Sequence, residues 1–142
     1  MRRSDMDDIE ILLDDDPAEA VSVCRKLCDQ TPDDADVWGW LAEAQVAAGD
    51  YDGALKSYAE YAVRDPEWLE AYTTRAELMA ELGRFDAAEV ELEVARAMDS
   101  QAPLLLKAEA LWFDLQGQFA KADELYARMA EADRAALAAS AY

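Results

Sequence analysis

Apolar residues recur along this chain at three- and four-residue steps, in blocks separated by polar breaks that carry glycine or proline. Such spacing predicts amphipathic helices, because one side of a 3.6-residue turn gathers every third or fourth position. The clearest block runs from Ala35 to Trp68. Trp38, Leu41, Ala42 and Gln45 turn one face of a first helix inward. Gly49 stops it, since glycine takes the left-handed conformation past a helix end without a Cβ clash. Asp50 caps a second helix through its side-chain oxygen, and Ala54 and Tyr58 share a face of that helix. Pro66 closes the block by disfavouring helical geometry in Asp65. The prediction is two antiparallel helices of roughly 14 residues, each about 21 Å long. Neither buries its stripe alone.

The same grammar returns at a fixed step. Ala20, Ala54, Ala88 and Ala122 stand 34 residues apart, and Gly49, Gly83 and Gly117 keep that interval. A period of this size means an array of one supersecondary unit, each copy needing its neighbours to cover its apolar face. The unit 69–102 carries Tyr72, Arg75, Ala76 and Met79, then Gly83, Phe85, Ala88, Leu92 and Ala95. The unit 103–136 carries Leu106, Glu109, Ala110 and Phe113, then Gly117, Phe119, Ala122, Tyr126 and Met129. Upstream, Pro17, Ala20, Cys24, Leu27 and Pro32 mark a second helix, with Asp16 as its cap. Ile9, Leu12 and Leu13 form a short stripe for the helix before it, which makes 1–34 a degenerate first repeat. Arg134 stands where a closing proline is due, so the last helix is expected to run on through 137–142.

The unit Trp38-x2-Leu41-Ala42-x2-Gln45, Ala54-x3-Tyr58, Pro66 resembles the tetratricopeptide repeat, whose pattern is W-x2-L-G-x2-Y, A-x3-F, P. Gln45 departs from it, and Ala42 replaces the small glycine at the helix crossing. In the later units Arg75 and Glu109 occupy the usual leucine position, and Ser100 replaces a proline. The resemblance implies an all-α fold of about eight helices, a superhelical stack of helix-turn-helix hairpins forming a single domain over 1–142. In that family the first helices of successive hairpins line a concave groove. The residues it places there are Asp36, Gly39, Glu43 and Val46 (with Ala47) in 35–68, and Glu70, Thr73, Glu77 and Glu81 (with Ala80) in 69–102. From 103–136 it places Leu104, Lys107, Leu111, Asp114 and Leu115.

That set runs from glutamates to leucines, so the expected partner is a basic peptide segment beside an apolar anchor. The alternative is that the glutamates are solvated helix positions and the leucines pack on the last helix. The lysine–asparagine–arginine clamp with which some relatives grip chaperone tails is not expected, because the chain has no asparagine. Trp38 matches the family's core aromatic, and Trp112 is expected between helices. Trp40 and Trp68, each beside a helix start or turn, either pack or anchor a partner.

Charge reinforces the acidic groove. Thirteen basic against 32 acidic residues give a net charge of −19 over 142 residues. Nucleic acid and anionic membranes both require a positive footprint, so neither is an expected partner. The same acidity also serves solubility in a salty cytoplasm. With no apolar run of spanning or signal-peptide length, the expected location is cytoplasmic.

Catalysis is not expected. There is no histidine, no phosphate loop and no nucleophile elbow. The aspartate pairs stand at helix ends, where capping explains them. Cys24 and Cys28 lie one turn apart, too few for a zinc site without histidine and poorly spaced for a disulfide. They read as reduced core residues, and no cofactor or metal is expected. The leading function is therefore a non-catalytic adaptor or scaffold. A chaperone holding an exported client, and self-assembly through Ile9, Leu12 and Leu13 at one end and Leu137 and Tyr142 at the other, stand as alternatives.

Overall fold

The computed structural model describes residues 3–140, and every regular element among them is a helix. In chain order they are α1 (Arg3–Asp15), α2 (Pro17–Gln30), α3 (Ala35–Ala47), α4 (Tyr51–Arg64), α5 (Leu69–Glu81), α6 (Phe85–Met98), α7 (Pro103–Asp114) and α8 (Phe119–Ser140). The class is all-α, built of helix hairpins of the α-solenoid kind. The helices gather into two compact units, the first ending at Ala71 and the second starting at Tyr72, inside α5.

The hairpin turns are copies of one device. Gly49, Gly83 and Gly117 have φ of +82°, +77° and +78°. Each lets the chain double back so that the next N–H reaches the carbonyl five residues earlier: Asp50 to Gln45 at 2.8 Å, Arg84 to Met79 at 2.8 Å, Gln118 to Phe113 at 3.0 Å. That bond satisfies a carbonyl which the helix end leaves without an intrahelical donor. Asp50 then accepts from the Gly53 N–H at 3.0 Å and starts α4. Asp16 does the same for α2 through the Glu19 N–H at 3.2 Å.

In the first unit, α3 has three distinct sides. Val37, Leu41 and Ala44 enter a core with Ile9 of α1 and Ala20, Cys24 and Cys28 of α2. Ala42 and Gln45 face α4, where Ser57 Oγ donates to the buried Gln45 amide oxygen at 2.5 Å. That bond explains the missing tyrosine: a buried amide is tolerated where a hydroxyl partners it. The remaining side carries Asp36, Gly39, Trp40 and Glu43, with Trp40 partly packed against the core. Trp38 packs on the core, its indole N–H donating to the Pro32 carbonyl at 2.9 Å and its ring 4.5 Å from the Arg64 guanidinium.

In the second unit, Leu106, Ala110, Ala122 and Leu125 make the core between α7 and α8, flanked by Phe113, Tyr126 and Met129. The two departures at the leucine position each find a partner on α6. Arg75 Nη1 meets Glu91 Oε1 at 2.7 Å, and Glu109 Oε2 meets Arg96 Nη2 at 2.9 Å. Trp112 sits edge-on between Phe85 and Phe113, its N–H donating to the Phe85 carbonyl at 2.9 Å. α8 spans 22 residues and passes Arg134 without a break.

Three expectations change, and one holds: Ile9 is fully buried, with Leu12 and Leu13 partly buried against the same core, as a first-helix stripe requires. The stretch 135–139 packs on no hairpin and is exposed, Leu137 at 70 %; Tyr142, the other seam residue, lies outside the described residues. Trp40 lies in the middle of α3 and not beside a helix start. Thr73 is 1 % and Ala80 2 % exposed, so neither faces a ligand. The cause is that α5 carries buried residues on two opposite stripes, Ala71 and Leu78 on one and Thr73, Ala76 and Ala80 on the other.

Candidate partner-binding surface

The open side of α3 is more than a polar stripe. Asp34, Asp36, Gly39, Trp40 and Glu43, with Met6 of α1, Tyr61 of α4 and Trp68 of the turn after α4, line a cavity of about 310 Å³. Trp68 lies against Tyr61 with ring centroids 4.0 Å apart and planes tilted by 36°. Gly39 makes this possible, because a Cβ there would stand 3.0 Å from the Tyr61 ring carbons. A glycine inside a helix costs about 1 kcal/mol relative to alanine, and here it gives the tyrosine ring room to approach the helix backbone.

Glu43 is the stressed carboxylate of the cavity. Burial, then the neighbouring charges of Glu70 and Glu10, push the Glu43 carboxyl above its ordinary range. Tyr61, buried and bonded at 3.5 Å to Asp36 Oδ1, is pushed up to about 12, mainly by desolvation and then by Asp36. Since the folded-state value of Glu43 is raised, the native state holds this proton more tightly than the unfolded chain. Stability tied to Glu43 therefore falls as pH rises through that window and is fully present only below the unfolded value. Glu43→Gln is expected to raise the melting temperature at pH 7, with the gain shrinking as pH drops through the raised value. Thermal melts of both proteins across pH 3–8 (about that range brackets carboxylate titration) check this, and an unchanged melting point at pH 7 contradicts it.

The other groove positions divide by unit. Glu70, in the first unit, is exposed. In the second, Glu81 is exposed and Glu77 half-buried. On α7, Leu104 and Leu115 are 40 % and 46 % exposed, Lys107 is exposed, and Leu111 and Asp114 are half-buried. Asp114 Oδ2 lies 3.5 Å from the Tyr126 hydroxyl, whose pKa is raised by burial and then by Asp114. Val46 is half-buried.

Cys24 and Cys28 are buried, with burial pushing their thiols up to about 12 and about 11. Thiols held that high carry almost no thiolate at neutral pH and are poor nucleophiles. Among the described residues no three acidic, histidine or cysteine side chains converge as metal ligands, and no helix is long and apolar enough to cross a membrane.

Sequence reasoning singled out Trp40 and Trp68 but missed Tyr61 and its contact with Trp68. Tyr61 and Trp68 are seven residues apart across a helix end, a spacing with no periodic signature. The available signal was Gly39, a small residue between two tryptophans in a helix interior, where close approach of another group is the usual reason.

The tetratricopeptide repeat family matches residues 12–74 and 45–111. No curated protein matches the sequence. Among solved structures, a crystal structure of MamA superposes with a TM-score of 0.74 at 14 % identity, over 91 % of this chain and 76 % of that one. A thermophilic TPR protein from Thermus thermophilus gives 0.70 at 25 % identity over 81 % and 64 %. A tetratricopeptide repeat protein from Parabacteroides merdae gives 0.72 at 15 % identity over 83 % and 46 %.

Proposed function

The chain belongs to the tetratricopeptide repeat family, and from that premise we propose that it is a non-catalytic adaptor that holds a basic protein segment carrying an apolar anchor. In the first unit the acidic side of α3 offers contacts for positive charge, and in the second the exposed Leu104 and Leu115 of α7 offer contacts for an apolar anchor. The observation that supports this most is the described lining of the α3 cavity: two aspartates, a glutamate and three aromatic rings, with no basic side chain among the described lining residues. A net charge of −19 adds a field that gathers positive segments before contact.

Titration calorimetry with synthetic 15-mers (about the length an extended groove ligand needs) tests it. A peptide with arginines flanking a leucine is expected to bind, and to weaken as salt shortens the Debye length. Exchanging its basic residues for glutamate, or its leucine for serine, should abolish or weaken binding. Charge reversal at Glu77 and Glu81 should lower affinity several-fold; affinity indifferent to that reversal and to salt contradicts the proposal.

A further inference from the structure

The α3 cavity has a more specific chemistry than a general acidic field. At about 310 Å³ it is at the small end of ligand pockets; it suits one side chain and not a cofactor. Its walls combine two kinds of recognition. The indoles of Trp40 and Trp68, both half-buried, line it beside the Tyr61 ring that packs on Trp68, and aromatic rings attract cations through their quadrupoles within about 6 Å of the centroid. Asp36 and Glu43 supply carboxylate oxygens, which accept hydrogen bonds from a charged donor.

Resting on the adaptor reading, we propose that this cavity is a receptor for a single arginine side chain of the partner segment. A guanidinium alone among cationic side chains uses both features together: its plane stacks on an indole while its fork of N–H donors reaches carboxylates. An ammonium lacks the flat face, and a trimethylated lysine lacks donors for Asp36 and Glu43. The complementarity is one-sided in sign, since none of the described lining residues is basic. Arg64, three residues after Tyr61 on α4, is engaged elsewhere, over Trp38 and on Glu60 at 2.8 Å. An entering positive charge also relieves the repulsion that Glu70 and Glu10 exert on Glu43.

The test titrates the full chain with acetyl-Gly-Arg-Gly-amide, up to about 10 mM because a single side-chain contact of this kind gives millimolar affinity. The indole N–H signals of Trp40 and Trp68 are followed by NMR. Those two signals should move, those of Trp38 and Trp112 should stay, and the citrulline peptide (same shape, no charge) should bind at least tenfold more weakly. The trimethyllysine peptide should also be weaker. Asp36→Asn with Glu43→Gln, which preserves shape, should remove the response while leaving the far-ultraviolet spectrum and melting curve cooperative. Equal binding of citrulline, tighter binding of trimethyllysine, an unaltered response in the double variant, or no movement of the two indoles overturns the proposal. The adaptor reading is judged separately by the 15-mers: if they bind with the Trp40 and Trp68 signals still, the cavity is wrong and the adaptor stands.

Discussion

Ile9→Ala is expected to destabilise the first unit by about 3 kcal/mol, whereas Ile11→Ala, two residues on, should change stability by less than about 0.5 kcal/mol. Ile9 is fully enclosed with Ala20, Cys24, Val37 and Leu41, and Ile11 is 60 % exposed. Deleting three buried carbons removes their transfer free energy and leaves a cavity that the packed surroundings only partly close. Urea unfolding of the two variants, with light scattering on each, separates a core role from an interface role. A seam residue would alter association and leave the unfolding midpoint in place; the opposite is expected.

The second large effect concerns Arg75 and Glu91. Both side chains are mostly buried, 19 % and 13 % exposed, and the Arg75 Nε finds no hydrogen-bond partner among the described residues. Removing one member leaves a partly desolvated charge unpaired. Glu91→Ala is therefore expected to cost roughly 2–3 kcal/mol, somewhat below the full range for a deeply buried pair. Replacing both, as Arg75→Leu with Glu91→Met, removes the desolvation cost along with the attraction and restores the leucine usual at that position. That double variant should lie within about 1 kcal/mol of the parent or above it. A double-mutant cycle by chemical denaturation measures the coupling; a double variant as unstable as Glu91→Ala contradicts the pairing.

These two cases show what could be read from the chain and what could not. The hairpins were legible because each turn is written locally: Gly49, Gly83 and Gly117 sit at positive φ, and Asp16 and Asp50 bond N–H groups three residues ahead. Nothing beyond neighbouring residues is required for such signals. The long last helix was legible for the same reason, since no breaker interrupts 119–140. Pairing across helices is different. Arg75 reads as a lost core residue until α6 brings Glu91 to it, and Glu109 until α6 brings Arg96.

The surface was legible in part. The acidic positions of α3 carry no periodicity that conflicts with exposure, and they are open. Thr73 was misread because a single inward stripe was assumed, whereas α5 is covered on two opposite stripes. Trp68 and Tyr61 meet only because the chain turns after Arg64, and a one-dimensional pattern holds no record of that approach. Ile9 was placed correctly as part of a first-helix stripe, though the sequence left open whether that stripe meets α2 or another copy.

The most direct measurement is an amide chemical-shift map of the whole chain with the arginine–leucine 15-mer. Perturbations are expected at Asp36, Gly39 and Glu43 on α3, at Glu70 and Glu81 on α5 and at Leu104 and Leu111 on α7, with α2, α4 and α6 quiet beyond the Tyr61 neighbourhood. Perturbations gathered on α2, α4 and α6 instead, with the α3 face silent, contradict the account.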